Sequence, residues 1–465
     1  MREVYPKCGS IADLQSGRLA FILKNVKHSN NLIDSKRAIA FTMLSLQAIL
    51  GLFIFIALAA ALSEKRQFPN WKIVTAGLGL QIVFAFVVFR VSFVQQILAT
   101  ANRGVSAIAS ATESGTLFIF GYLGGDPLNV AYPYSVEDPA ATVILAFRIL
   151  PLILIFTVLS AILWHYKILP VVVRGFSFVL RRSLGVNGAV GFSAAANIFI
   201  GMVESPALIR PYIKTLSRSE LFVVMSCGMA TIAGSVMILY SVVLQGIVEN
   251  PLGHILTASV ISAPAAIMFA LIMVPEESTY SEKQFAEDGL VIGPRYHNVM
   301  DAITRGTSDG LKLTANVGAM LLVLVALVAL LNSVLSLISF PSGDSLTLQR
   351  MFSVIFAPLV WLMGIPWAEA QVAGNLMGIK TALNEFLSFL ALAELPAGSL
   401  SQQSTIIMTY AMCGFANFGS LGIMIAGLTG LCPERAKEIV QLAPKSLISG
   451  TLATCMTGAI AGLLI

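Results

Sequence analysis

Two apolar stretches of this chain are each interrupted by a glutamate, and that pairing constrains the fold more than any other feature. The first break reads Asn197-Ile-Phe-Ile-Gly201-Met-Val-Glu204-Ser-Pro206 and the second Asn384-Glu385-Phe386. Each is followed by a similar block: Cys227-Gly-Met-Ala-Thr231-Ile-Ala-Gly-Ser235 after the first, Cys413-Gly-Phe-Ala-Asn417-Phe-Gly-Ser420 after the second. A soluble core cannot absorb the sequence around them. The chain is 57% hydrophobic and 11% charged, whereas soluble domains run near 25% charged. The reading is therefore an all-α polytopic membrane protein, in which a carboxylate at membrane depth is costly and points to function.

A bilayer core of about 30 Å takes about 20 apolar helical residues. Eight full spans are expected, at residues 40–62, 73–91, 143–164, 221–247, 254–274, 313–338, 405–431 and 447–465. Residues 93–110 and 169–184 are shorter, carry arginines among apolar residues, and read as interfacial amphipathic helices. Residues 276–311 hold a run of acidic side chains and read as a solvated loop between two halves. Residues 1–42 are polar, resemble no signal peptide, and form an extension outside the core; Met43 offers an alternative start.

The segments 188–213 and 367–394 fit neither class, because Gly201, Glu204 and Pro206 break one, and Gly374, Gly378, Lys380, Asn384 and Glu385 break the other. Each is long enough for two half-helices meeting at a polar tip. Irregular backbone at membrane depth survives only where protein or a water-filled cavity covers it, a condition that re-entrant hairpins meet. Hairpin, helix, helix then occurs twice, in an inverted repeat. Interrupted apolar segments at matching positions of two halves mark a secondary transporter's binding site.

Glu204 and Glu385 are candidate acceptors for a polar substrate, the plainer reading being interfacial loop glutamates. A buried carboxylate without a cation needs donors, and sugar hydroxyls are good donors. Thr231 and Ser235, with Asn417 and Ser420, lie in blocks that can unwind to bind a cation or hydroxyls; close helix packing through small residues is the alternative. Lys380 and Arg148 suit structural pairing or snorkelling. The four histidines show no metal spacing, the five cysteines no paired framework, and no hydrolase or phosphate-loop motif is present. A basic stripe with interleaved aromatics is also missing, so no nucleic-acid partner is expected.

At these residues the chain resembles the concentrative nucleoside transporter family. Gly201-Met-Val-Glu204-Ser-Pro206 followed by Arg210-Pro-Tyr212 is similar to the family's G-Q-T-E-[AS]-P and R-P-[FY]. Met377-Gly378, Asn384-Glu385-Phe386 and Tyr410-Ala-Met-Cys413-Gly-Phe-Ala-Asn417 fit as well. The resemblance covers about residues 43–465. It implies a homotrimer in the cytoplasmic membrane, with eight transmembrane helices, two re-entrant helical hairpins, interfacial helices, a scaffold domain and an elevator-like transport domain. Residues 43–166 and 276–366 (polar loop, sixth span and linking helix) would be mostly scaffold, and 167–275 and 367–465 the two transport repeats. It implies no enzyme and no organic cofactor, but a nucleoside symporter with Na+ or H+ as coupling ion and lipid around it.

The resemblance further implies that Glu385, Phe415, Asn417 and Ser420 bind the ribose, and that Met202, Val203, Glu204 and Val236 face the base. A sodium site would use Asn197, the Ile200 carbonyl, Thr231 and the Ile232 carbonyl. Met202 and Val203 depart from the family's usual Gln and Thr, which implies a different base preference. The alternatives are a transporter of a free nucleobase or modified nucleoside, an intramembrane hydrolase using Glu204 and Glu385, and a passive channel.

Overall fold

The computed structural model describes residues 42–66, 68–125, 130–136, 142, 144–276, 294, 296–337 and 346–464. The proposed extension and alternative start thus fall almost wholly outside the described residues. The helices run in the order α1 (Thr42–Ala61), α2 (Trp71–Arg90), α3 (Ser92–Phe120), α4 (Leu145–Arg148), α5 (Pro151–His165), α6 (Ile168–Leu184), α7 (Gly188–Asn197), α8 (Glu204–Leu208), α9 (Arg210–Ile213), α10 (Arg218–Ala230), α11 (Gly234–Val243) and α12 (Pro251–Met273). They continue with α13 (Val299–Leu335), α14 (Leu348–Leu362), α15 (Trp367–Ala382), α16 (Glu385–Ala393), α17 (Gln402–Met412), α18 (Phe418–Leu431) and α19 (Ala436–Leu464). Among the described residues there is no strand.

Seven of these stretches are long and apolar enough to cross a membrane. The eighth expected span, 405–431, is divided into α17 and α18, neither of which crosses alone. The expected span 221–247 likewise breaks into α10 and α11 at Thr231–Ala233. Side-chain caps explain where several of these elements start. The Asn187, Asn384 and Asn417 carboxamide oxygens accept from Val190 N (2.9 Å), Leu387 N (2.9 Å) and Ser420 N (2.7 Å), starting α7, α16 and α18. Ser217 and Glu220 form a reciprocal capping box at α10. Such caps satisfy N–H groups that have no partner inside the helix.

The second half repeats the first in order. Helix α6 precedes the hairpin α7–α9, then α10 and α11, then α12; α14 precedes the hairpin α15–α16, then α17 and α18, then α19. Each hairpin is clasped by a serine that reaches back twelve residues. Ser205 Oγ bonds Ser193 O, and Ser388 Oγ bonds Leu376 O at 2.8 Å. The two broken helices meet at their breaks, where Phe415 N donates to Thr231 O (3.2 Å). Gly414 permits the approach, since a Cβ there would sit 2.7 Å from Ala230 O.

Three boundaries differ from the expectation. The interfacial segment 93–110 is part of the longer α3. The polar stretch 276–311 is helical from Val299 onward; Asn298 caps it through Asp301 N (2.8 Å), and Arg305 pairs with Asp301 at 2.7 Å. Residues 277–293 lie outside the described residues. Helix α19 starts eleven residues before the expected span, because Arg435 pairs with Glu438 and binds the Ile213 and Leu216 carbonyls, making a polar first turn stable. Gly306 and Gly310 let α13 lie directly on α5, where an added Cβ at either would sit 3.0 Å from Val158 Cα or Leu154 Cα. Close approach of this kind is how helices associate without a hydrophobic driving force.

Candidate functional site

The two hairpin tips and the two helix breaks converge on one cavity. Met202, Val203 and Glu204 reach it from hairpin 1, Val236 from α11, Glu385 from hairpin 2, Phe415 and Asn417 from the second break, and Ser420 from α18. All eight expected substrate residues therefore line the same space, although more than two hundred positions separate the first from the last.

Glu385 is buried, and its carboxylate is held at both oxygens. Tyr240 Oη donates to Oε1 at 2.5 Å and Asn417 Nδ2 donates to Oε2 at 2.8 Å. The opposite end of the same Asn417 amide accepts from Ser420 N at 2.7 Å, so its orientation is fixed by the start of α18. Tyr240 packs on Phe386 and Phe389, with ring centroids 6.1 and 5.1 Å apart. Each carboxylate oxygen keeps lone-pair capacity beyond the one bond it accepts, which suits hydroxyl donors arriving from the cavity.

Glu204 is different. It is exposed to the cavity and opens α8, and its carboxylate lies back over the tip so that a Cβ at Gly201 would collide with it. Its neighbours are apolar and packed. Val203 abuts α18, where a Cβ at Gly427 would stand 2.7 Å from Val203 Cγ1. Met202 lies on Gly228 of α10, with 3.1 Å to an added Cβ.

Of the four expected cation ligands, Asn197 ends the first arm of hairpin 1, Ile200 follows in its tip, and Thr231 and Ile232 lie in the break between α10 and α11. Asn197 Nδ2 donates to Thr231 Oγ1 at 2.9 Å, and Thr231 Oγ1 lies 3.2 Å from Asn197 O and 3.0 Å from Cys227 O. Asn197 Oδ1 is buried with no hydrogen-bond partner. Such an orphaned acceptor costs about 1–3 kcal/mol, and a hard monovalent cation would offset it. Ile232 follows Thr231 in the break, its N–H facing Ser259 Oγ at 3.4 Å. Ile200 lies at the edge of a second cavity, which it shares with Glu204, Asp309, Lys312 and Asn316. Neutral oxygens gather where the first arm of hairpin 1 ends, and no cluster of three acidic, His or Cys ligands occurs among the described residues. This donor set fits sodium better than a transition metal.

Lys380 does not snorkel, and it has no ion-pair partner within 4.0 Å among the described residues. It is fully buried, and Nζ donates to Ala411 O (2.8 Å) and Thr454 Oγ1 (3.1 Å).

Two parts of the site are absent from the sequence reading. Tyr240 falls one helical turn after Val236 on α11 and lines the same cavity, but its spacing alone does not set it apart from a packing residue. Leu313, Val317, Met320, Leu321 and Leu324 of α13 supply an apolar wall; their helical period is readable, but which side of the helix meets the cavity is not.

Comparison with known proteins places the chain among transporters. "Na+ dependent nucleoside transporter N-terminus" matches residues 39–123, "Nucleoside recognition" residues 146–246, and "Na+ dependent nucleoside transporter C-terminus" residues 254–462. An uncharacterized transporter of Haemophilus influenzae is 40% identical over 90% of this chain and 98% of its own. Nucleoside permease NupC of Helicobacter pylori is 34% identical over 90% of this chain and 98% of its own. The structure of CNTnw in an inward-facing substrate-bound state superposes with a TM-score of 0.80, at 33% identity over 90% of this chain and 98% of that one. These relatives are transporters, not enzymes. The chain is a multi-pass membrane protein that belongs to the concentrative, Na+-dependent nucleoside transporter family.

Proposed function

We propose that this protein is a cation-coupled symporter that imports nucleosides across the cytoplasmic membrane. The ribose hydroxyls bond Glu385, Asn417 and Ser420, with Phe415 against the sugar, and the base meets Met202, Val203, Glu204 and Val236. The observation that carries this reading is the Glu385 carboxylate, buried, held by Tyr240 and Asn417, and presented to a cavity at the meeting point of both repeats.

Asn197, Thr231 and the carbonyls of Ile200 and Ile232 would hold a sodium ion, which supplies the coupling gradient when bound. Because Thr231 O also accepts from Phe415 N (3.2 Å), the ligand set is one bond away from the sugar pocket. The two repeats, residues 167–275 and 367–465, move as a transport domain against a scaffold that includes α5 and α13, in an elevator-like cycle within a homotrimer. The apolar wall that α13 offers the cavity suits such sliding. Met202 and Val203 give the base side an apolar surface without the amide and hydroxyl usual in the family, so base preference differs from that of Gln–Thr members; a modified nucleoside is the second substrate this surface favours. Uptake of labelled uridine competed by a nucleoside panel, with sodium replaced by choline at fixed pH, tests the reading. Loss of uptake in choline supports it, and uptake that ignores sodium but follows pH replaces sodium with protons.

A further inference from the structure

The two repeats treat the same structural problem differently. In each, a helix ends inside the protein just before a break: α10 at Ala230 and α17 at Met412. The last carbonyls of a helix lack intrahelical partners and carry the negative end of its dipole. At membrane depth they need a positive or donating group.

At α17 that group is on the page. Lys380 rises from the last turn of α15, the first arm of hairpin 2, and sets its ammonium on Ala411 O (2.8 Å) with Thr454 Oγ1 of α19 as second acceptor (3.1 Å). It is 0% exposed. An ammonium brought this deep costs several kcal/mol unless compensated, so its presence calls for more than packing.

At α10 the matching position has no such group. Asn197 ends α7, the first arm of hairpin 1, and reaches Thr231 at the end of α10, as Lys380 reaches Ala411. Residues 187–209, α11 and α12 contain no lysine or arginine. Instead, the site has a buried Asn197 Oδ1 without a partner. One repeat thus carries a fixed cation where the other presents an unpartnered oxygen.

We propose that Lys380 is the built-in cation of the second repeat, standing where the first repeat takes a mobile monovalent ion. The inference rests on the cation site proposed at Asn197 and Thr231. It follows that hairpin 2 keeps its charge throughout the cycle and that only hairpin 1 gains and loses one. Removing the Lys380 side chain would leave Ala411 O and Thr454 Oγ1 as ligands for a sodium ion.

The test is thermal unfolding of the purified full-length protein in detergent, without nucleoside, titrating NaCl against choline chloride at constant ionic strength. Wild type should show one saturable sodium stabilisation that Asn197→Ala removes. Lys380→Ala should melt several degrees lower in choline and recover in sodium, and this sodium response should persist in the Lys380→Ala, Asn197→Ala double variant. Lys380→Met, which fills the volume without charge, should be destabilised in both salts, and Lys380→Arg should keep wild-type stability in choline. Equal destabilisation of Lys380→Ala in both salts, or a Lys380→Met protein as stable as wild type, overturns the proposal. If Lys380→Ala cannot be purified, the Met and Arg variants decide. A wild-type sodium response that survives Asn197→Ala marks failure of the first-repeat site alone and leaves the Lys380 comparison readable.

Discussion

Replacing Glu385 by glutamine exchanges one oxygen for an NH2 group and should disable the proposed sugar site, for a reason visible in its hydrogen bonds. Asn417 cannot turn its amide, because Oδ1 accepts from Ser420 N at 2.7 Å and starts α18. It therefore always presents N–H groups to residue 385, while Tyr240 presents a hydroxyl to the other oxygen. In one orientation the introduced glutamine would set its own NH2 against that of Asn417. In the other it would bond Asn417 and leave the Tyr240 hydroxyl without its acceptor. Either way a buried donor is unpaired, at about 1–3 kcal/mol, and the charged acceptor offered to a ribose hydroxyl, worth about 1.5–3 kcal/mol, is lost. With 1.4 kcal/mol per tenfold, the sugar term alone predicts uptake efficiency falling roughly 10- to 150-fold for a ribonucleoside. The assay is initial-rate uptake of labelled uridine into cells, normalised to transporter level, beside the analogue lacking the hydroxyl that Glu385 receives. The loss should be smaller for the analogue, because energies of groups in contact do not add. Unchanged KM and rate for Glu385→Gln, or equal losses for all deoxy analogues, would refute the reasoning.

Other outcomes follow from the same geometry. Met202→Gln combined with Val203→Thr should change the profile of nucleosides that compete with uridine; an unchanged profile removes these residues from base selection. Gly427→Ala places a Cβ 2.7 Å from Val203 Cγ1 and should lower stability by about 1–3 kcal/mol, with most of the loss recovered by adding Val203→Ala, as read by thermal unfolding in detergent. Outside the membrane, the Arg218 guanidinium beside Glu64, at 2.9 Å and helped by Lys445 at 2.6 Å, holds the Glu64 carboxyl down to about 2. A depressed carboxyl stabilises the folded state above its ordinary value near 4.5 and loses that contribution as pH falls toward 2. The group is exposed, so solvent screening leaves about 1 kcal/mol; the melting difference between wild type and Glu64→Gln should be present at pH 7 and shrink steadily below pH 4.

Much of the site is legible in the sequence because membrane chemistry makes polar residues conspicuous. Glu204, Glu385, Asn384 and Asn417 stand out in apolar sequence, and the asparagines double as helix caps, so a local signal and a binding signal coincide. The repeated Cys-Gly-x-Ala blocks reveal both helix breaks for the same reason. Tyr240 escapes notice because a tyrosine in an apolar helix is ordinarily packing, and only its bond to Glu385, 145 positions away, gives it a role. The wall from α13 is hidden because the helix is apolar on every side from Val317 to Leu331 and does not announce which face meets protein. The polar start of α13 reads as loop because its stability comes from a cap and an ion pair rather than from burial. Lys380 reads as a pairing or snorkelling residue, since nothing local shows that it reaches carbonyls and hydroxyls on two other helices.

The measurement closest to the central claim is accumulation of labelled uridine in proteoliposomes containing the purified protein, at fixed pH, with an inward sodium gradient set against a choline control. Cation-coupled transport through this cavity predicts uridine concentrated inside above the outside level, only while the sodium gradient lasts, with the response lost in Asn197→Ala and the uptake lost in Glu385→Gln. Uridine that merely equilibrates under sodium and proton gradients alike, or accumulation untouched by either substitution, would contradict it.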